Sequence, residues 1–450
     1  MSEDNKNTKF ALWVLFGINA INFYDRQILA AVTEPIRKEW ALSDTAIGTL
    51  GMAFTLVYAA IGLPLGRLAD SSSRKKILSI GVATWSVLTA VSGFAWNYAA
   101  LFATRLGVGV GEASCAPAAN SLIGDLYPPR KRAVALSIFM LGLPVGIFFS
   151  YRVSGIIAAH YSWREAFYFA AVPGLALAFL ALKIKEPQRG ASEGHSSTPR
   201  QRAGSPYLVV LGIPTIMWII LSGALHNFNM YAVNSFLPAF LMRSHLMKLK
   251  DATNVSSIVL GAVGIVGLLG GGWAADRLSR TRPDGRLLLS AVTMLIAAPC
   301  IYFALRQPPG ATAAFIVWMG TGSMMMFVYY SGVYAAIQDV IEPSLRGTAM
   351  ALYFFAMYIL GASLGPVGTG MLSDHFAKKA MAAAGATAMT EQFKATGLHS
   401  AMYVIPLLCA ILAFVLFAAS RTVAGDMQKL RTWLKGQDQG ASCPDDQKVP

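Results

Sequence analysis

The chain has 450 residues, of which 55% are hydrophobic and only 13% charged, and its formal net charge is +14. That charged fraction is about half of what a soluble domain carries, too little to cover a folded chain with polar surface, so a soluble enzyme is excluded. The basic excess does not imply a nucleic-acid partner, because Arg and Lys gather in short loops and not along one helix face.

Apolar runs of about 20 residues recur from Phe10 to Ser420, each long enough to cross ~30 Å of hydrocarbon at helical rise. The first, over 10–32, is too long for a signal-peptide core and lacks a small-residue cleavage site, so it reads as a retained span. Further spans are expected near 46–68, 77–95, 98–123, 133–158, 166–184, 209–240, 255–275, 286–305, 311–336, 347–372 and 400–420. Basic clusters at Arg74, Lys75 and Lys76, at Arg130, Lys131 and Arg132, and at Arg277, Arg280, Arg282 and Arg286 fall in alternate connections. By the positive-inside rule those loops and both termini are expected in the cytoplasm, with the chain multi-pass in the inner (plasma) membrane. A stretch rich in Gly, Ser, Pro and charge at 186–206 is expected to be a linker. It separates a six-helix bundle over 1–185 from a second over 207–422, followed by a tail over 423–450 that forms a short amphipathic helix or stays solvated. The expected fold is an all-α membrane protein of twelve transmembrane helices in two six-helix bundles. Four scattered cysteines lack metal-ligand spacing, and no metal or cofactor is expected.

The two halves repeat. Gly66, Asp70 and Arg74 have the same offsets as Gly272, Asp276 and Arg280, and Asp125, Pro129, Arg132 and Ala135 recur 214 residues later as Asp339, Pro343, Arg346 and Ala349. Such matches argue for duplicated units. The repeated Gly-x-x-x-Asp-x-x-x-Arg is expected to gate: the glycine lets helices approach, and the aspartate pairs with arginine to latch the halves. The alternative is that these charges only set topology.

GRLADSSSRKK from Gly66, its weaker copy GGWAADRLSR, and YSWREAF resemble signatures of the major facilitator superfamily, and the resemblance covers essentially the whole chain. It implies inverted three-helix units, a central cavity and rocking alternating access. Ser71 to Ser73 depart from the pattern, which usually has a further basic residue and a glycine there. INFYDRQILAAV (21–32) and RLGVGVGEASCAPAANSLIGDLYPPRKR (105–132) resemble the spinster branch, whose animal members export sphingosine phosphate or lysophospholipids. That resemblance implies that the Asp25–Arg26 pair and Glu112 work in coupling and headgroup binding.

The residues themselves support a similar expectation. Asp25 and Arg26 in span 1, and Arg105 and Glu112 in span 4, are ionisable groups inside the bilayer, where each is expensive and functional by default. Asp25 and Glu112 are expected to carry proton coupling, since desolvation favours the acid and a nearby arginine the carboxylate. Arg26, with Arg105, is expected to hold an anionic substrate group, because a guanidinium stays charged and matches carboxylate or phosphate oxygens. The alternative is a static buried ion-pair network. In the second half Tyr330, Tyr334 and Met326 are expected to line the cavity for an apolar tail, although a Met run more often packs helices. His226 is expected to be a satisfied interior histidine. Arg152, at the outer end of span 5, is expected either to face span 8 and disfavour closure of that gate or to snorkel to the interface.

No HExxH or Walker loop is present, so no enzyme is expected. The expected function is a monomeric, proton-coupled secondary transporter that moves an amphipathic or lipid-like organic anion, with protons and membrane lipids as its other partners. A symporter for small carboxylates or phosphates and a passive lipid scramblase remain alternatives.

Overall fold

The computed structural model describes residues 3–188, 205–342 and 345–441. Ten helices among them are long and apolar enough to cross a membrane. Two further spans complete twelve: Glu3–Ala31, and the broken pair Tyr98–Glu112 and Cys115–Leu126. These two hold Asp25, Arg26, Arg105 and Glu112, the charges that lower their hydropathy.

In chain order the spans are 1 (Glu3–Ala31), 2 (Asp44–Ser71), 3 (Arg74–Gly93), 4 (Tyr98–Glu112 with Cys115–Leu126), 5 (Val134–His160) and 6 (Trp163–Leu182). The second half has 7 (Pro214–Ser244), 8 (Leu249–Ser279), 9 (Gly285–Leu305), 10 (Thr312–Val340), 11 (Arg346–Ala383) and 12 (Glu391–Met402 with Val404–Ala441). Each group of six packs as one bundle; the bundles meet through spans 1 and 7, 2 and 11, and 5 and 8. Span 12 runs on as helix to Ala441, past the expected boundary at 422. Most of the expected linker lies outside the described residues, but its start is tethered: Ser73 Oγ and the Arg74 amide donate to Glu186, at 2.5 and 2.7 Å. Burial pushes the Glu186 carboxyl up, yet these bonds outweigh it and hold it below its ordinary range. The tether therefore contributes above the ordinary carboxylate pKa and is lost as pH falls through the lowered one.

Twelve crossings bring residue 3 and residue 441 to the same face, the terminal face. On the opposite face the halves are bolted together. Arg243 of span 7 donates through both terminal nitrogens to Asp44, at 2.7 Å each, and through Nε to Glu34 at 2.7 Å. Glu34 lies on the short helix Thr33–Glu39, whose Arg37 reaches Glu391 at the start of span 12. Asp374 of span 11 accepts from the Asp44 and Thr45 amides at 3.1 and 2.9 Å, so a carboxylate from one half caps the positive helix end of span 2 in the other. The backbones nearly touch here: a methyl group on Gly370 would run into the Asp44 carbonyl. The YSWREAF segment braces the same face, because Trp163 Nε1 and Arg164 both bind Glu39.

Arg74 is buried against Asp125 of the first half and Glu186 at the start of the expected linker, so in this state its charge does not latch one half to the other. Its counterpart is Arg286, which binds Asp339 and Asp276; Arg280 is exposed. The matching offsets from Gly66 and Gly272 mislead because the second loop is longer, whereas the Asp125/Asp339 repeat marks the true pair. The side chains of Gly66 and Asp70 lie outside the described residues. Of the two readings of Arg152, the exposed one fits this structure: its side chain is exposed and not buried against span 8. It lies in a π-helical turn, Ser150–Ser154, whose wider winding lets neighbouring Tyr151 take the buried position and bond the Asn234 carbonyl at 2.5 Å. The approach to span 8 is made by Phe148 on Gly261.

Removing Arg243 leaves Asp44 buried without its cation, which costs about 3–5 kcal/mol for a buried pair. Arg243→Ala should therefore lengthen spin-label distances across the opposite face, with Arg243→Lys intermediate; unchanged distances in Arg243→Ala would show that other contacts hold this face shut.

Candidate functional site

Span 4 breaks beside its carboxylate. Pro117 has no amide hydrogen to give the Ala113 carbonyl, so the helix stops at Glu112 and restarts at Cys115. Glu112 is fully buried at that break, and Arg26 Nε donates to its Oε2 at 2.8 Å while Asn22 Nδ2 donates to the same oxygen at 2.9 Å. Asn22 and Arg26 are four apart on span 1 and so share a helix face.

The Arg26 side chain is only 4% exposed and is caged by aromatic rings. Its guanidinium carbon lies 4.5 Å from the ring centre of Tyr58, 4.9 Å from Phe23 and 5.1 Å from Phe54. These ring faces stabilise a cation away from water. Nη1 donates to the Tyr358 hydroxyl at 3.2 Å, and Tyr358 belongs to the other half. Its ring packs 4.8 Å from that of Tyr58 and 6.5 Å from that of Tyr231. Tyr358 lies in a second π-helical turn, Met357–Ala362, where the Ser363 amide and hydroxyl both bond the Tyr358 carbonyl at 2.9 Å. Ser363 also shares a 2.8 Å bond with Thr55 of span 2.

Asp25 and Arg105 are buried but do not pair. Among the described residues Asp25 bonds only Thr89, at 3.5 Å, and its Oδ1 has no partner; Arg105 donates to Ser92 at 3.1 Å and sits over the Phe167 ring, with Nε unpartnered among those residues. Glu112 Oε1 is likewise without a partner among the described residues. Three unsatisfied polar atoms in one buried group are a site for water or an exchangeable proton. A cavity of about 50 Å³, room for a water or two, lies beside them between the halves, lined by Arg26, Gln27, Arg105, Tyr231 and Asn234 among others.

Tyr330 and Tyr334 are half-buried with ring centres 5.6 Å apart and do not line the central cavity, and Met326 is sealed in the second-half core. His226 stacks on Tyr329 at 3.9 Å, yet neither ring nitrogen has a partner among the described residues, so it is not the satisfied histidine expected. Asn22, Tyr58, Tyr231 and Tyr358 were not singled out in the sequence. For Asn22 the spacing to Arg26 was a usable signal; for the tyrosines, one aromatic among many carries none.

Fold and site together define a multi-pass helical membrane protein with a buried charge centre between two bundles. The chain belongs to the Major Facilitator Superfamily, whose model matches residues 15–366, and within it to the spinster-like proteins. Protein spinster homolog 1 of Xenopus laevis is 30% identical over 392 residues, covering 83% of this chain and 74% of that protein. An MFS-type efflux pump of Mycolicibacterium smegmatis is 28% identical over 365 residues, 81% of this chain and 84% of the pump. A solved bacterial homolog to the human lysosomal transporter Spinster, in an inward-facing and unoccupied conformation, matches with a TM-score of 0.83 at 28% identity, covering 95% of this chain and 99% of that one. The chain is thus a membrane transporter of the spinster-like kind.

Tyr358→Phe removes the hydrogen bond that ties Arg26 to the second half while keeping the ring. A bond to a charged group contributes about 1.5–3 kcal/mol, so the variant should loosen the contact between halves, read as faster hydrogen exchange at Met357–Ser363; an unchanged exchange profile would make that bond incidental.

Proposed function

We propose that this protein is a proton-coupled secondary transporter that moves an amphipathic, lipid-like organic anion by alternating access. The observation that carries this reading is Arg26: a cation buried between the halves, with one carboxylate partner, Glu112, and a cage of rings that would hold it equally well beside another anion. Substrate anion and Glu112 carboxylate then compete for one guanidinium, so substrate and proton bind together. When an anionic headgroup takes Arg26, Glu112 loses its counter-charge in a dry site and takes up a proton. Asp25, with no cation bonded to it, is the second proton carrier, and Arg105 the second cation at the cavity. Half-buried Tyr330 and Tyr334 supply an apolar wall for the tail, with Met326 packed behind them.

The state is read as open toward the terminal face, which the basic loops assign to the cytoplasm. Support comes from the ion pairs that span the halves on the opposite face, while Arg74 and Arg286 find partners within their own halves. The similar solved bacterial homolog is in an inward-facing conformation.

Binding of a lysophospholipid should weaken in Arg26→Ala by about 1.5–3 kcal/mol, the worth of a charge-assisted bond. Equal binding by both proteins would move the headgroup elsewhere. Accumulation in proteoliposomes should need a pH gradient. The conformational distribution of Asp25→Asn and Glu112→Gln, followed by spectroscopic distances, should lose its response to pH. A retained response would remove both residues from coupling, and uptake of small carboxylates alone would favour a metabolite symporter.

A further inference from the structure

A second cavity, of about 380 Å³, opens on the opposite face of the second half, between the ends of spans 7 and 9 and the start of span 12. Its wall carries Arg243, His245, Arg306 and His399, and no carboxylate. The central site shares none of these residues.

The end of span 7 is shaped to present His245. The amides of His245 and Met247 both donate to the Leu241 carbonyl, at 3.1 and 3.2 Å, which closes the helix with Leu246 in the left-handed region at φ 56°. Glycine normally holds that position, and a branched side chain is strained there. The turn leaves Leu246 79% exposed and tucks His245 inward at 6%, with its ring 5.1 Å from Phe315 and 5.5 Å from Phe240. Despite that burial His245 Nδ1 has no hydrogen-bond partner among the described residues, and neither does the neighbouring Ser244 hydroxyl. Buried polar atoms without partners are uncommon, and those lining a cavity point to an occupant.

The charges say what kind. Arg243 is spent on Glu34 and Asp44 across the interface, but Arg306 is exposed and bonds only the hydroxyl of Tyr302, at 3.3 Å. His399 Nε2 lies 2.9 Å from the Leu305 carbonyl; a carbonyl only accepts, so that nitrogen bears the hydrogen. A basic wall with donors to spare and no acid selects oxygen anions.

We propose that this cavity binds an oxyanion, a phosphate or carboxylate either free or on a lipid headgroup, through Arg306, His245 and Ser244. The site is separate from the transport site and belongs to the second half alone.

The test uses the full chain in neutral detergent, titrated with inorganic phosphate at ionic strength fixed with chloride. Binding should be saturable, persist in Arg26→Ala, and weaken at least about tenfold in Arg306→Gln and in His245→Gln. The exposed Arg306 side chain makes the first variant safe for folding. Displacement of phosphate by phosphatidylglycerol, with none by phosphatidylcholine, would assign the site to a lipid headgroup; no displacement by either would assign it to a free anion. Absence of saturable binding, or identical isotherms for wild type and both variants, would overturn the proposal.

Discussion

A guanidinium held in hydrocarbon cannot shed its proton and cannot be left alone, and much of this molecule is arranged to meet that condition at Arg26. Glu112 supplies the charge, and the break in span 4 places it. Asn22 fixes the carboxylate from the same face of span 1, and Phe23, Phe54 and Tyr58 replace the water that the cation has lost. A second donor, Nη1, goes to Tyr358 in the other half, so the charge centre feels whether the halves are together.

The contacts between the halves are graded with depth. At the opposite face they are ion pairs and helix caps, reversible wherever water can enter. Midway, Thr55 shares a neutral hydrogen bond with Ser363, and Arg26 reaches Tyr358 through a charge-assisted one. The rim is tied by ion pairs and the middle by single hydrogen bonds, an order that lets the rim part without breaking the core of either bundle.

The sequence made the fold legible because lipid imposes long apolar runs, and it made Asp25, Arg26, Arg105 and Glu112 legible because ionisable groups stand out within such runs. Their pairing was not legible: position along a helix says which groups lie inside the bilayer but not that the side chains join Arg26 to Glu112. Arg243, Glu34 and Asp44 were missed because charges at span ends read as topology signals, and nothing local links residues about two hundred apart. Arg280 misled for a simpler reason. Offsets counted along a chain assume uniform winding and equal loops, and here one loop is longer and one helix widens.

That widening recurs. π-helical turns interrupt span 5 at Ser150–Ser154, span 8 at Ser257–Ala262 and span 11 at Met357–Ala362, and all three spans lie at the junction of the bundles. Each such turn holds one residue more than a regular helix would in the same rise. A homologous chain shorter by one residue at any of these turns would wind as ordinary helix there, and everything beyond would keep its orientation about the span axis. Only residues within the turn, such as Tyr358, would shift and present a different neighbour to Arg26. Insertions and deletions confined to a few helix turns are thus a route by which relatives could change what the cavity displays without altering the packing of either bundle.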